Sequence, residues 1–126
     1  MENIILVKSK AFALRIIKMY NYLKEEKKEY VLSQQLLRSG TSIGANVKES
    51  VFAQSTADFY AKMYIAQKEA GETEYWLELL YESEYIDQKL FDSFHTDCQE
   101  LIKLLVSITK NSKKTKEFHK YNSETE

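Results

Sequence analysis

No proline and only three glycines, Gly40, Gly44 and Gly71, stand among 126 residues. That is too little turn chemistry for a sandwich, a barrel or an alternating α/β fold, whose tight connections draw on both residue types. A single cysteine, Cys98, excludes an internal disulfide and a cysteine-rich zinc site, and it suits a reducing compartment. Nowhere do about 18 uncharged apolar residues run together, and the start lacks the basic, apolar and small-residue succession of an export signal. The expectation is a soluble cytoplasmic protein with no membrane partner. An excess of one charge is missing too: 18 Lys and Arg against 19 Asp and Glu leave −1. This excludes a general phosphate-binding coat and confines any basic surface to a local patch.

What is present is helical periodicity. Apolar residues make up 44% of the chain, enough for one core and one domain. Ile5, Phe12, Ile16, Met19 and Leu23 share one side of a helix over about residues 3–27, which fades into the charged run Lys24 to Glu29. Leu36, Gly40, Ile43, Val47 and Val51 mark a second over about 33–53, with Ser33 as its expected N-cap. Phe59, Met63, Ala66, Ala70, Thr73, Leu77 and Leu80 alternate steps of 4 and 3 without a break, predicting a third over about 56–84 behind a Ser55 and Asp58 start. Phe91, Phe94, Cys98, Leu101, Leu105 and Ile108 predict a fourth over about 87–110, capped by Asp87. Residues 111–126 carry few large apolar groups and are expected to be a mobile polar tail. Short connections force consecutive helices antiparallel, so the fold class is an all-α, up-down-up-down four-helix bundle.

The third helix has more apolar circumference than a lone bundle can cover. Tyr60, Tyr64 and Tyr75 gather on one flank of its core stripe, and Ile65, Leu79 and Trp76 lie further round. Tyrosines with their hydroxyls in water would account for part of this; a second buried surface between copies would account for all of it. Charge points the same way. Residues 1–28 hold seven basic and three acidic groups, and residues 55–86 hold two basic and seven acidic. Lys8, Arg15 and Lys18 share a face of the first helix, while Glu74, Glu78 and Glu82 stand four apart on the third. Those helices are diagonal within one bundle, so basic and acidic surfaces would meet between copies, head to tail, in a ring. Along the second helix runs a polar stripe of Ser39, Ser42, Asn46 and Glu49, expected to form a structural network with Arg38 and with Glu72 of the third helix.

Catalytic parts are missing from this pattern. There is no glycine-rich phosphate loop and no paired-histidine metal motif, and Glu72 and Glu74, two apart on a helix, point different ways. His95 follows core Phe94 as a polar flanking residue, and Cys98 fills a core step. No enzyme, cofactor or metal site is expected.

The run LLRSGTSIGANVKES from Leu36 to Ser50, followed by ADFYAKMYIAQKEAGETEYWLELL from Ala57 to Leu80, resembles the bacterial four-helix-bundle family of large-subunit rRNA intervening-sequence proteins. It is similar also to the accessory variability proteins of diversity-generating retroelements. The matching positions are Leu36, Arg38, Ser42, Ile43, Asn46 and Glu49, then Ala66, Glu72, Glu74 and Leu77. The resemblance implies a homopentameric ring of antiparallel bundles without enzymatic activity; in the retroelement branch the ring is basic and binds nucleic acid. The function expected of this chain is therefore that of a homo-oligomeric, pentameric scaffold that binds RNA or DNA non-specifically, with a protein adaptor as the alternative and, behind it, a small ligand-binding bundle or enzyme with a cavity lined by Ser42, Asn46, Glu49 and Glu72. Lys8, Lys10, Arg15, Lys18, Lys113 and Lys114 are the candidate phosphate contacts. Tyr60, Tyr64, Tyr75, Trp76, Glu74 and Glu78 are the candidate interface.

Overall fold

A computed structural model describes the backbone of residues 3–125 and the side chains of residues 3–112. Four helices follow in order: α1 (Ile4–Glu25), α2 (Leu32–Ser50), α3 (Thr56–Glu82) and α4 (Gln88–Thr125). Three of the starts are set by short polar side chains that accept orphan amide protons. Asn3 accepts from the Leu6 N–H, Ser55 from Asp58, and Asp87 from Leu90. The start of α2 differs from expectation. Its N-cap position is Val31, and Ser33 is the second residue of the helix and buried. The acceptor is the carboxylate of Glu29, which takes the N–H groups of Val31, Leu32 and Ser33 at 3.0, 2.8 and 2.6 Å. At the end of α3, Glu84 adopts a left-handed φ of 70°. The Tyr85 N–H then bonds the Leu80 carbonyl and the Glu84 N–H that of Tyr81, at 2.9 and 3.0 Å, which turns the chain sharply into α4.

Each helix packs on its two neighbours in the cyclic order α1, α2, α3, α4, leaving α1 and α3 at opposite corners. Long-range pairs give the directions. Gly40 sits on Ile16 and Gly44 on Ser9; Arg38 reaches Glu72 while Glu49 reaches Lys62; Glu74 meets His95 while Gln67 meets Thr109. Arg15 meets Asp97 and Lys8 meets Glu100. Neighbours are therefore antiparallel throughout, the expected up-down-up-down arrangement.

The predicted stripes form the core. Ile16, Leu23, Leu36, Ile43, Leu77, Leu80 and Leu105 are fully buried, and Phe12 meets Phe94 edge to face at 6.4 Å. The small residues of α2 serve close approach to α1. A Cβ on Gly40 would lie 2.8 Å from Ile16 Cγ1, too close for any real contact. Thr73 and Ser39, buried between α3 and α2, share a hydrogen bond of 2.9 Å, and every buried polar atom among the described side chains has a partner.

Two boundaries depart from the sequence reading. Val51 falls just past the last turn of α2 and is exposed. α4 continues to Thr125 where the spacing ends the helix near Lys110. No glycine or proline follows Ile108, and buried Thr109 and Ser112 carry the inward face on with small polar residues that an apolar count overlooks.

Candidate interaction surfaces

The basic face expected on α1 divides in two. Lys8 and Arg15, seven residues apart, turn toward α4, where Glu100 and Asp97 stand one turn apart. Lys8 Nζ is 2.8 Å from Glu100, whose hydrogen bond and charge raise the ammonium pKa. Arg15 is 2.6 Å from Asp97 and donates to the Ser93 hydroxyl at 2.8 Å, and its guanidinium lies 4.1 Å over the Phe94 ring. These two candidate phosphate contacts make seam contacts within the chain while their side chains stay 44% and 37% exposed. Lys10 and Lys18 point outward and form no ion pair among the described residues. The side chains of Lys113 and Lys114 lie outside the described residues.

The outer face of α1 is apolar. Ile4, Val7, Leu14 and Ile17 are 41–57% exposed and lie on the side away from Ile5, Phe12 and Ile16. Sequence reasoning missed them, although their steps of 3, 7 and 3 are helical.

On α3 the expected interface residues are mostly engaged inside the subunit. The Tyr64 hydroxyl donates to the Thr109 carbonyl at 3.2 Å, and Tyr60 is half-buried, edge-on to Phe59 at 5.2 Å. The Trp76 indole N–H donates to Glu72 at 2.9 Å. Glu74 accepts from the Gln99 amide and lies 3.0 Å from His95 Nε2, and the His95 ring stacks on Phe91. Tyr75, 52% exposed, and half-buried Glu78 keep outward positions with no hydrogen bond or ion pair to another side chain among the described residues.

The polar stripe of α2 also divides. Arg38 pairs with Glu69 at 3.3 Å and with Glu72, binding α2 to α3 as expected. Ser42 donates instead to the Arg38 carbonyl at 2.6 Å and Asn46 to the Ser42 carbonyl at 2.8 Å, both along α2 itself. Glu49 stands apart, 3.7 Å from Lys62. The single network expected of Arg38, Ser42, Asn46, Glu49 and Glu72 is therefore an Arg38 and Glu72 cluster, two helix-local bonds and one surface pair.

The Cys98 thiol is buried against the Ala70 carbonyl at 3.3 Å. Burial, and then the nearby charges of Glu74 and Asp97, push its pKa up to about 12, away from thiolate chemistry. Among the described residues no group of three His, Cys, Asp or Glu could hold a metal ion, and no helix is long and apolar enough to cross a membrane.

The family model of the 23S rRNA-intervening sequence protein matches residues 1–107. A crystal structure of a protein with unknown function from the S23 ribosomal protein family, from Bacteroides thetaiotaomicron, is 55% identical, with a TM-score of 0.85 over 86% of this chain and 96% of that one. No curated protein matches.

Proposed function

The chain belongs to the 23S rRNA-intervening sequence protein family, and from that premise we propose that it is a non-catalytic homo-oligomeric scaffold whose copies cover one another's outer apolar faces and together present a surface to another macromolecule. The observation that carries this reading is the outward stripe of Ile4, Val7, Leu14 and Ile17. Fully burying an aliphatic side chain contributes about 1.5–3 kcal/mol, so four half-exposed ones leave several kcal/mol available to association. The exposed ring of Tyr75 adds an aromatic of the kind enriched at interfaces. Five copies is the number that the resemblance read in Leu36 to Ser50 and Ala57 to Leu80 implies, and it is part of this proposal. Cys98, buried with its thiol held protonated, offers no nucleophile, which supports a role without catalysis.

Sedimentation at micromolar concentration tests the assembly. A particle several times the 14.8 kDa chain is expected, and a particle of one chain refutes it. Nucleic acid is the first partner class, supported by Lys10, Lys27 and Lys28, all exposed and outside any ion pair among the described residues. Binding of this kind is sequence-independent and falls steeply between about 50 and 200 mM salt. A gel shift with single-stranded RNA, weakened in Lys10→Glu/Lys28→Glu, supports it. No shift at low salt moves the partner to a protein.

A further inference from the structure

The seam between α1 and α4 is the most thinly packed of the four. Where α1 finishes and α4 begins it opens into a groove of about 650 Å³. Met19, Leu90 and Phe94 line its apolar floor, Tyr22 stands on the rim, and Lys18 and Lys89 supply two exposed cations outside any ion pair among the described residues. Two other charges at the groove already have work: Arg15 is held by Asp97 and Ser93, and Asp87 caps the Leu90 N–H at 2.8 Å.

At the opposite corner of the bundle, Tyr75, Glu78, Leu79 and Glu82 occupy roughly a third of the circumference of α3 on its outer side, at about 3.6 residues per turn. This surface is acidic and aromatic where the groove is basic and apolar. The two lie level. Ile16 packs on Gly40, Ser39 bonds Thr73, Glu74 meets His95 and Asp97 meets Arg15. Counting on from those contacts, Lys18 and Tyr22 on α1, with Phe94 and Leu90 on α4, stand at the height of Tyr75 and Leu79. α1 and α3 run parallel, so rotation about an axis along the bundle carries the outer face of α3 onto the groove of a neighbouring copy without sliding it. Two different complementary surfaces joined by a rotation close as a ring.

We infer that the groove seats α3 of a second copy, with Tyr75 and Leu79 over the apolar floor and Glu78 and Glu82 against Lys18 and Lys89. This rests on the homo-oligomeric reading and adds to it a contact beside the outer stripe of α1. Charge complementarity selects the occupant.

Charge reversal tests it, read as the concentration of half-assembly by sedimentation, with circular dichroism reporting the fold. Lys18→Glu/Lys89→Glu and Glu78→Lys/Glu82→Lys each raise that concentration at least ~10-fold, and the chain carrying all four substitutions returns to within ~3-fold of the parent. Tyr75→Ala weakens assembly by a similar factor. If the parent assembles and the reversals leave its mass unchanged, or the four-substitution chain fails to recover, this contact is wrong and the scaffold reading stands. Loss of RNA binding in Lys18→Glu/Lys89→Glu with assembly intact likewise overturns it, assigning the groove to nucleic acid. A parent that sediments as one chain removes both.

Discussion

Glu29 is the side chain on which the turn between α1 and α2 depends, and its removal has a calculable effect. It is 7% exposed, and its carboxylate accepts three amide protons from the first turn of α2. Its own N–H bonds the Leu23 carbonyl at 3.0 Å, while its carbonyl accepts from the Ser33 hydroxyl at 2.9 Å. One residue thus joins the end of one helix to the start of the next. A hydrogen bond to a charged group contributes about 1.5–3 kcal/mol, a cap about 0.5–2, and an anion at a partly buried helix start up to about 2. These terms describe overlapping contacts and do not sum. Glu29→Ala is therefore expected to destabilise the chain by about 2–3 kcal/mol, and Glu29→Gln, which keeps one acceptor oxygen, by about 1–2 kcal/mol. With a urea slope of about 1.5 kcal/mol/M, the Ala midpoint falls by roughly 1.3–2 M at unchanged slope. Unfolding curves taken at one protein concentration, so that assembly contributes equally, provide the check. An Ala variant within about 0.5 kcal/mol of the parent would refute the capping argument.

Two further outcomes come from glycine and cysteine. Gly71 has open space where a Cβ would stand, so Gly71→Ala raises stability by about 0.8–1 kcal/mol through helix propensity alone; Gly40→Ala meets Ile16 at 2.8 Å and lowers it by about 1 kcal/mol net. Thermal melts giving the reverse order would contradict the packing of α1 on α2. The Cys98 thiol keeps its proton in the native state up to about pH 12, whereas the unfolded thiol loses it near its ordinary value of 9.0. The native state then binds more protons across that interval, so Cys98 makes stability fall as pH rises, by at most about 1.4 kcal/mol per pH unit. Cys98→Ala flattens that slope, and an equal slope in both proteins counts against the assignment.

The spacing of apolar residues located all four helices because each buries one stripe, and a 3.6-residue repeat leaves a direct trace in sequence. Ser55 and Asp87 were legible as caps for a similar reason: a short polar side chain just before a periodic run has one local use. The cap of α2 was not. Glu29 lies three residues before the helix, in a charged run that reads as solvent-exposed surface, and it reaches the amides only because Lys28 turns the chain through φ 54°. Backbone geometry that a non-glycine residue adopts at a turn has no marker in composition.

The candidate surfaces were legible by side of helix and not by partner. Segment sums placed the positive charge on α1 correctly, yet Lys8 and Arg15 are held by Glu100 and Asp97, residues of α4 that neither sum includes. Tyrosines were rightly located on the flanks of α3, but Tyr64 finds the Thr109 carbonyl, which becomes available only once α3 and α4 are packed. The outer stripe of α1 has the opposite history. Ile4, Val7, Leu14 and Ile17 announce a second apolar face in their spacing alone, although lysines stand between them. Once Lys8 and Arg15 are turned into the seam, what α1 offers to solvent is a face where Lys10 and Lys18 alternate with aliphatic residues. The basic and apolar groove beside this face and the acidic and aromatic outer side of α3 make the two sides of the subunit different and complementary. A symmetric dimer would pair like with like and leave one of those sides uncovered, whereas a head-to-tail ring uses both on every copy.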